Sequence, residues 1–271
     1  VPLAMVGGKG LFVKEIQEAM LRNEIDIAVH SMKDVPTFFP EGTGLRCITE
    51  REDPRDILVL NEGCKSLDDI PQGGRIGTSS LRRKAQLLSL RPDLQMLDIR
   101  GNVQTRISKL VDDKLDAVVL AAAGMHRLGF TDQIGAYLDP KTCLPAIGQG
   151  ALGLESRLAD DKINALIDFF NHPETAAAVI AERAVLATLE GGCQVPIAAF
   201  GTITGDQLEL TALVSSCDGQ QVIKKSVTCA VADAEATGVA LAKQMLEAGA
   251  GPILNEVYGC ETFNNDGGDK D

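Results

Sequence analysis

Five arginines, Arg82, Arg83, Arg100, Arg106 and Arg127, fall at strand ends or early helix turns of one α/β stretch of this chain. In an open α/β sheet, ligands sit beyond the carboxyl ends of the strands, and helix N-termini there offer unpaired N–H groups to anions. "GTSSLRR" (77–83) gathers a glycine turn, the hydroxyls of Thr78, Ser79 and Ser80, a helix start and two guanidiniums. "DIRGNVQTR" (98–106) repeats the arrangement with Arg100 and Arg106. Arginines grouped in this way suit a ligand carrying several carboxylates or phosphates. Any one of them is read equally well as a surface ion-pair residue. The group together favours an anion site.

A second set of polar residues leaves a strand in "AVHSMKDVP" (28–36). Ser31, Lys33 and Asp34 would project from that strand's carboxyl end, across a cleft from the arginines. Lys33 supplies a point charge for a carboxylate. Asp34 in a basic cleft can stabilise developing positive charge or carry a proton, and it can equally be a turn-forming acid. Spacing does not separate the two. "MVGGKGLFVKE" (5–15) sets Lys9 after glycines, but the GK[ST] ending of a phosphate-binding loop is missing. A lid or an ordinary helix entry explains it. Gln149 sits in "LPAIGQGALGLE" (144–155), a glycine-rich crossing between domains where it can meet a ligand. Cys193 lies in a glycine–proline loop, "LEGGCQVPIAAFG" (189–201). A nucleophilic thiol would need a histidine base, and none is local. A redox thiol would need a resolving partner. A covalent tether and an inert thiol both remain.

The elements that must carry these residues follow from periodicity. Apolar positions between Gly10 and Asn23 recur at helical spacing, and "IDIAVH" (25–30) reads as a buried strand. "ISKLVDDK" (107–114) and "LDAVVLAA" (115–122) echo that helix–strand order, which suggests two related α/β lobes with mainly parallel sheets. Ser79 or Ser80 caps a helix over 81–90, which stops before Pro92. After residue 173 the pattern changes. A helix in "PETAAAVIAERAVLATLEGG" precedes alternating strands around Asp218-Gly219, a hairpin signal, and "DAEATGVALAKQMLEAGAGPIL" reads as one further helix. The expected division is lobe 1 at 1–50 and 151–170, lobe 2 at 51–150, and an α+β domain with an antiparallel sheet at 173–271.

The bulk composition narrows the class. A formal charge of −12 argues against nucleic acid, and no apolar run is long enough to span a membrane. Seven scattered cysteines without a CxxC, and three dispersed histidines, fit a reducing compartment and no protein-built metal site. Val1 opens neither a clear strand nor a capped helix, so the chain is read as starting inside a longer one.

Taken in order, "VGGKGLFVKE", "DIAVHSMKDVP", "EREDPRD", "GTSSLRR", "RGNVQTR", "LPAIGQGALG" and "LEGGCQVP" resemble the porphobilinogen deaminase family over nearly the whole chain. The resemblance implies a transferase with porphobilinogen as its substrate. The family joins four porphobilinogen molecules head to tail, releases ammonia from each and frees linear hydroxymethylbilane with water. It also implies a dipyrromethane cofactor held by a thioether, whose matching position is Cys193, and a catalytic aspartate matching Asp34. Cofactor-binding positions carried over are Ser31, Lys33, Thr78, Ser79, Ser80, Arg82, Arg83, Arg100 and Arg106. Arg127, with Lys9, Phe12 and Gln149 at the cleft edge, would meet substrate. A cytoplasmic monomer is expected. The family's opening fifty or so residues, with an "ATR.S.LALWQ" pattern, are not in this sequence, and Met5 stands where relatives often have lysine. The lobe pattern also resembles periplasmic binding proteins, so a non-enzymatic binder of a small polyanion is the competing expectation. A cysteine hydrolase is a further one.

Overall fold

The computed structural model describes residues 8–189 and 195–263, the side chains of 8–12 and 258–263 excepted. Helical spacing produces α1 (Gly8–Leu21), and the apolar segment after it forms β1 (Ile27–Ser31), followed by β2 (Thr43–Ile48). The chain crosses over through 49–55. It then alternates through β3 (Asp56–Leu60), β4 (Arg75–Gly77), α2 (Leu81–Leu90), β5 (Gln95–Leu97), α3 (Val103–Asp112), β6 (Ala117–Ala121), α4 (Ala122–Arg127) and β7 (Ala136–Tyr137). A second crossing leads back to β8 (Leu152–Arg157) and α5 (Asp161–Ile167). The rest of the chain is α6 (Pro173–Thr188), β9 (Ile197–Thr204), β10 (Gln207–Ser215), β11 (Val222–Ala230), α7 (Ala234–Glu247) and α8 (Ala250–Phe263).

Among the described residues these strands form three sheets, ordered β1-β8-β2, β5-β4-β6-β3-β7 and β11-β10-β9. The second is the α/β core. β5, β4 and β6 run parallel, and adjacent residues of β3 and β6 face opposite sides. Leu58 and Val119 pack with Ile76 and Leu87 on one face, while Ile57 and Val118 pack with Ile99 and Met125 on the other. Burial on both faces is why these strands read as unbroken apolar runs. The first sheet departs from the parallel expectation, because β8 pairs antiparallel with both β1 and β2. β8 re-enters from the second crossing, running against the strands that left by the first. β3 and β7 also pair antiparallel within the second sheet. The third sheet is antiparallel throughout, with the hairpin closing at Asp218-Gly219 as expected. The single helix expected over its last stretch is two. Gly249 adopts φ +100°, a left-handed conformation that ends α7 and lets α8 restart.

The two crossings lie against each other, and glycine makes this possible. Gly150 has φ +92°, and a Cβ there would stand 2.4 Å from the Glu52 carbonyl oxygen. α6 is anchored at the same place. Glu182, fully buried, receives Arg51 from the first crossing through two hydrogen bonds of 2.8 and 2.9 Å. It also accepts the Gly148 N–H of the second crossing and the Gly201 N–H of β9. One carboxylate therefore joins three parts of the chain. Glu182→Ala leaves Arg51 buried without its partner, so it should lower the unfolding free energy by about 3–5 kcal/mol. A denaturant titration beside the unmodified chain measures this.

Candidate active site

The carboxyl ends of β1 and β6 open into one cleft of about 270 Å³. β1 delivers Ser31 and, through the short turn Met32–Asp34, Lys33. Leu120 and Ala121 of β6 line the opposite wall with the start of α4. α3 adds its N-terminal turn, Gly101 to Val103, where the Asn102 side chain accepts the Thr105 N–H. That end of the helix directs its unpaired N–H groups and positive dipole end toward the cleft. Lys33, Arg83, Arg106 and Arg127 line the space, and no carboxylate does so among the described residues. Four cations around a small cavity form an anion site.

Each cation is held by the framework. Arg83 Nε and Nη2 donate to Asp56 Oδ1 at 3.0 and 2.7 Å, and Nη1 donates to the Val119 carbonyl at 3.1 Å. A guanidinium has five N–H donors, so donors remain for a ligand. Arg106 Nε donates to the Gly101 carbonyl at 2.8 Å, and Arg127 Nη2 to the Gly150 carbonyl at 2.8 Å. Lys33 Nζ lies 3.5 Å from Gln149 Oε1. Burial, and then Arg83, push the Lys33 ammonium down to about 8, against the pull of Asp34 and Asp56. Arg106 is lowered in the same way by burial and Arg83, with Asp34 opposing. Asp34 thus lies close enough to bear on both cations.

The structure brings together Ser31, Lys33, Arg83, Arg106, Arg127 and Gln149 of the residues expected from sequence, with Asp34 beside them. It does not bring Arg82 into the cleft. Arg82 shares Asp56 with Arg83 but is held away from the cleft, with Nη1 donating to Asp56 Oδ2 and to the Leu144 carbonyl, each at 2.7 Å. Thr78, Ser79 and Ser80 are engaged locally: the Ser80 N–H reaches Thr78 Oγ1, Ser79 Oγ donates to the Ile99 carbonyl, and Ser80 caps α2. Arg100 is exposed and outside the cleft lining. Cys193 lies outside the described residues, as do the side chains of Lys9 and Phe12. None of the three histidines lines the cleft. His30 bonds Glu155, His126 bonds Glu52 and Tyr137, and His172 caps α6. Burial, reinforced by Asp56, pushes the Cys143 thiol up to about 12, so that thiol is inert.

Sequence reasoning missed three residues. Asp56, fully buried, is held far below the usual carboxylate range because Arg82 and Arg83 outweigh its burial. Glu182 is the anchor of α6. Arg183 donates from α6 to the carbonyls of Val35 and Pro36, at 3.1 and 2.5 Å, and so pins the loop that follows Asp34. The available signal was an acid heading or interrupting an apolar run, "DILVL" and "VIAERAVL", since a buried carboxylate requires a cationic partner.

Residues 1–165 match the family model described as porphobilinogen deaminase, dipyromethane cofactor binding domain, and residues 176–247 match the porphobilinogen deaminase C-terminal domain. The chain is 65% identical to the porphobilinogen deaminase of Geobacter metallireducens and 64% identical to that of Geobacter sulfurreducens. Each match covers 258 residues, 95% of this chain and 80% of the relative. Among solved structures, the periplasmic aliphatic sulphonate binding protein of Escherichia coli aligns with a TM-score of 0.38 at 16% identity, over 65% of this chain and 57% of that one.

Proposed function

We propose the residue roles below from the premise that the chain belongs to the porphobilinogen deaminase family. It is a hydroxymethylbilane synthase, making hydroxymethylbilane from porphobilinogen with a dipyrromethane cofactor. The observation that carries the residue reading is the cleft lined, among the described residues, by four cations and no carboxylate. Porphobilinogen and the rings of the cofactor each bear an acetate and a propionate, so the donor set fits the group it has to hold.

Lys33, Arg83, Arg106 and Arg127 pair with these carboxylates, and Ser31 and the N-terminal turn of α3 add neutral donors. Arg82 supports the site from behind through Asp56. Thr78, Ser79, Ser80 and Arg100, with Lys9, Phe12 and Gln149 at the edge, keep the binding roles that the resemblance assigns them. Cys193 is the attachment point. When bound, the dipyrromethane supplies the nucleophilic pyrrole carbon that begins the chain of rings. Asp34 stabilises the positive charge that develops on porphobilinogen as its aminomethyl nitrogen leaves as ammonia. Its carboxylate does so beside a cleft whose charges are committed to binding. Lobe 1 at 1–50 and 151–170, lobe 2 at 51–150 and a domain at 173–271 are the bodies that hinge around the site. The enzyme is read as a cytoplasmic monomer. Among the described residues no helix is long and apolar enough to cross a membrane.

Lys33 makes the binding role testable through pH. Its folded value, about 8, lies below the ordinary 10.5, so the folded chain disfavours the cation. That cost to stability is present below pH 8 and is relieved as pH rises from 8 towards 10.5. Carboxylate binding runs the other way, because it needs the cation. KM for porphobilinogen should rise as pH passes 8, and Lys33→Arg, which stays charged, should remove that rise. A KM that stays flat through pH 8 in the unmodified enzyme contradicts the role given to Lys33.

A further inference from the structure

Asp56 closes the "EREDPRD" segment and is the shared partner of Arg82 and Arg83. It heads β3 at the end of the first crossing and is fully buried. Its Oδ1 accepts Arg83 Nε at 3.0 Å, Arg83 Nη2 at 2.7 Å and Gln149 Nε2 at 2.9 Å. Its Oδ2 accepts Arg82 Nη1 at 2.7 Å. Gln149, 1% exposed on the second crossing, turns its other amide atom to Lys33 and also donates to the Pro54 carbonyl at 2.7 Å. One carboxylate thus orients two cleft-lining groups directly and a third through the amide. The three come from different elements: α2, the second crossing and the turn after β1.

We propose that Asp56 is a positioning residue, which aims Arg83 and, through Gln149, Lys33 at the carboxylates of the ligand. The geometry is selective. An amide whose NH2 group is fixed by Asp56 and Pro54 must present its oxygen to Lys33, so the ammonium has an acceptor on the side away from solvent. Arg83, held along its Nε–Nη2 edge, keeps its remaining donors in the plane that a carboxylate meets. Arg82 serves differently. It shares the charge of Asp56 and secures the Leu144 carbonyl, so both crossings close on one guanidinium nitrogen, Arg82 Nη1. Because Asp56 ends the first crossing and Gln149 lies in the second, the contact between the crossings also sets the binding cations.

This inference rests on the carboxylate-binding role of the cleft, and its test separates the two. In the purified full-length enzyme without added substrate, an amine reagent is applied across a pH series and the labelling of Lys33 is followed by peptide mass. The groups facing Lys33 are Asp34 on its own turn, Asp56, Arg82 and Arg83. Asp56→Asn keeps the shape and removes the charge, so the midpoint of Lys33 labelling should move to lower pH. Gln149→Met, which keeps every charge, should move it in the same direction by removing the acceptor. If Asp56→Asn does not fold, Gln149→Met alone decides. KM for porphobilinogen should rise about tenfold in Asp56→Asn with kcat kept, the pattern of lost uniform binding. A purely structural defect would instead lower kcat through the inactive fraction and leave KM unchanged. A labelling midpoint unchanged in the folded variants overturns the proposal, whatever KM does. A shifted midpoint with KM unchanged upholds the positioning of Lys33 and counts against the carboxylate reading.

Discussion

Asp34→Ala is expected to slow hydroxymethylbilane formation about a thousandfold, the scale of losing one preorganised electrostatic partner of a transition state. Lys33, Arg83, Arg106 and Arg127 all bear positive charge or hydrogen-bond donors, and they suit the carboxylates of the substrate in its ground state as well as at the reacting moment. Asp34 is different in kind. A carboxylate beside a cationic cleft weakens the binding of anions, and in the proposed role it offsets that cost by stabilising the positive charge that appears during the reaction. The variant should therefore lose kcat with little rise in KM. Asp34→Asn keeps hydrogen bonding and loses charge, and it should resemble alanine rather than the unmodified enzyme. The loop itself remains pinned by Arg183 at Val35 and Pro36, so the fold survives either change. Single-turnover measurement of ammonia release reads the effect, and near-normal release by Asp34→Ala refutes the role.

Cys193→Ser is expected to lose activity to background. A thioether requires a sulfur nucleophile, and a serine hydroxyl at neutral pH does not replace a thiolate. The substitution is nearly isosteric, so the chain keeps its shape and the cationic cleft. It loses the ligand that those cations are built to neutralise. Melting temperature should fall as well, because a group bound to the folded state stabilises it. The loss should lie in loading, with Arg83 and Arg106 unchanged.

How far the sequence carried this reading follows from the range of the interactions. Helix α2, with its Ser80 cap, and the strand–helix alternation of the second sheet are local, and periodicity revealed them. The glycines of "AIGQGALG" suggested a crossing between domains, and Gly150 lets that segment pack closely on Glu52. Cleft residues such as Lys33 and Arg106 were legible because they sit just beyond strand ends, where an α/β sheet binds ligands. Arg82 and Arg83 share Asp56, and only Arg83 also lines the cleft, a distinction that depends on Asp56 and Leu144 far away in sequence. Asp56 and Glu182 were marked only as acids heading or interrupting apolar runs and Arg183 not at all, since the partners of each lie far away in sequence. The antiparallel pairing of β8 was hidden for the same reason. Strand direction depends on where the chain re-enters, and no local window contains that. Gly249 was visible, but only its left-handed φ shows that it divides a helix.

The most direct measurement is the intact mass of the purified full-length enzyme after denaturation, beside Cys193→Ser. One dipyrromethane above the sequence mass in the unmodified chain, and none in the variant, is the expected result. An active enzyme that weighs only its sequence, or a variant that keeps the added mass, would contradict a ligand bound covalently at Cys193 and steadied by the cleft's cations.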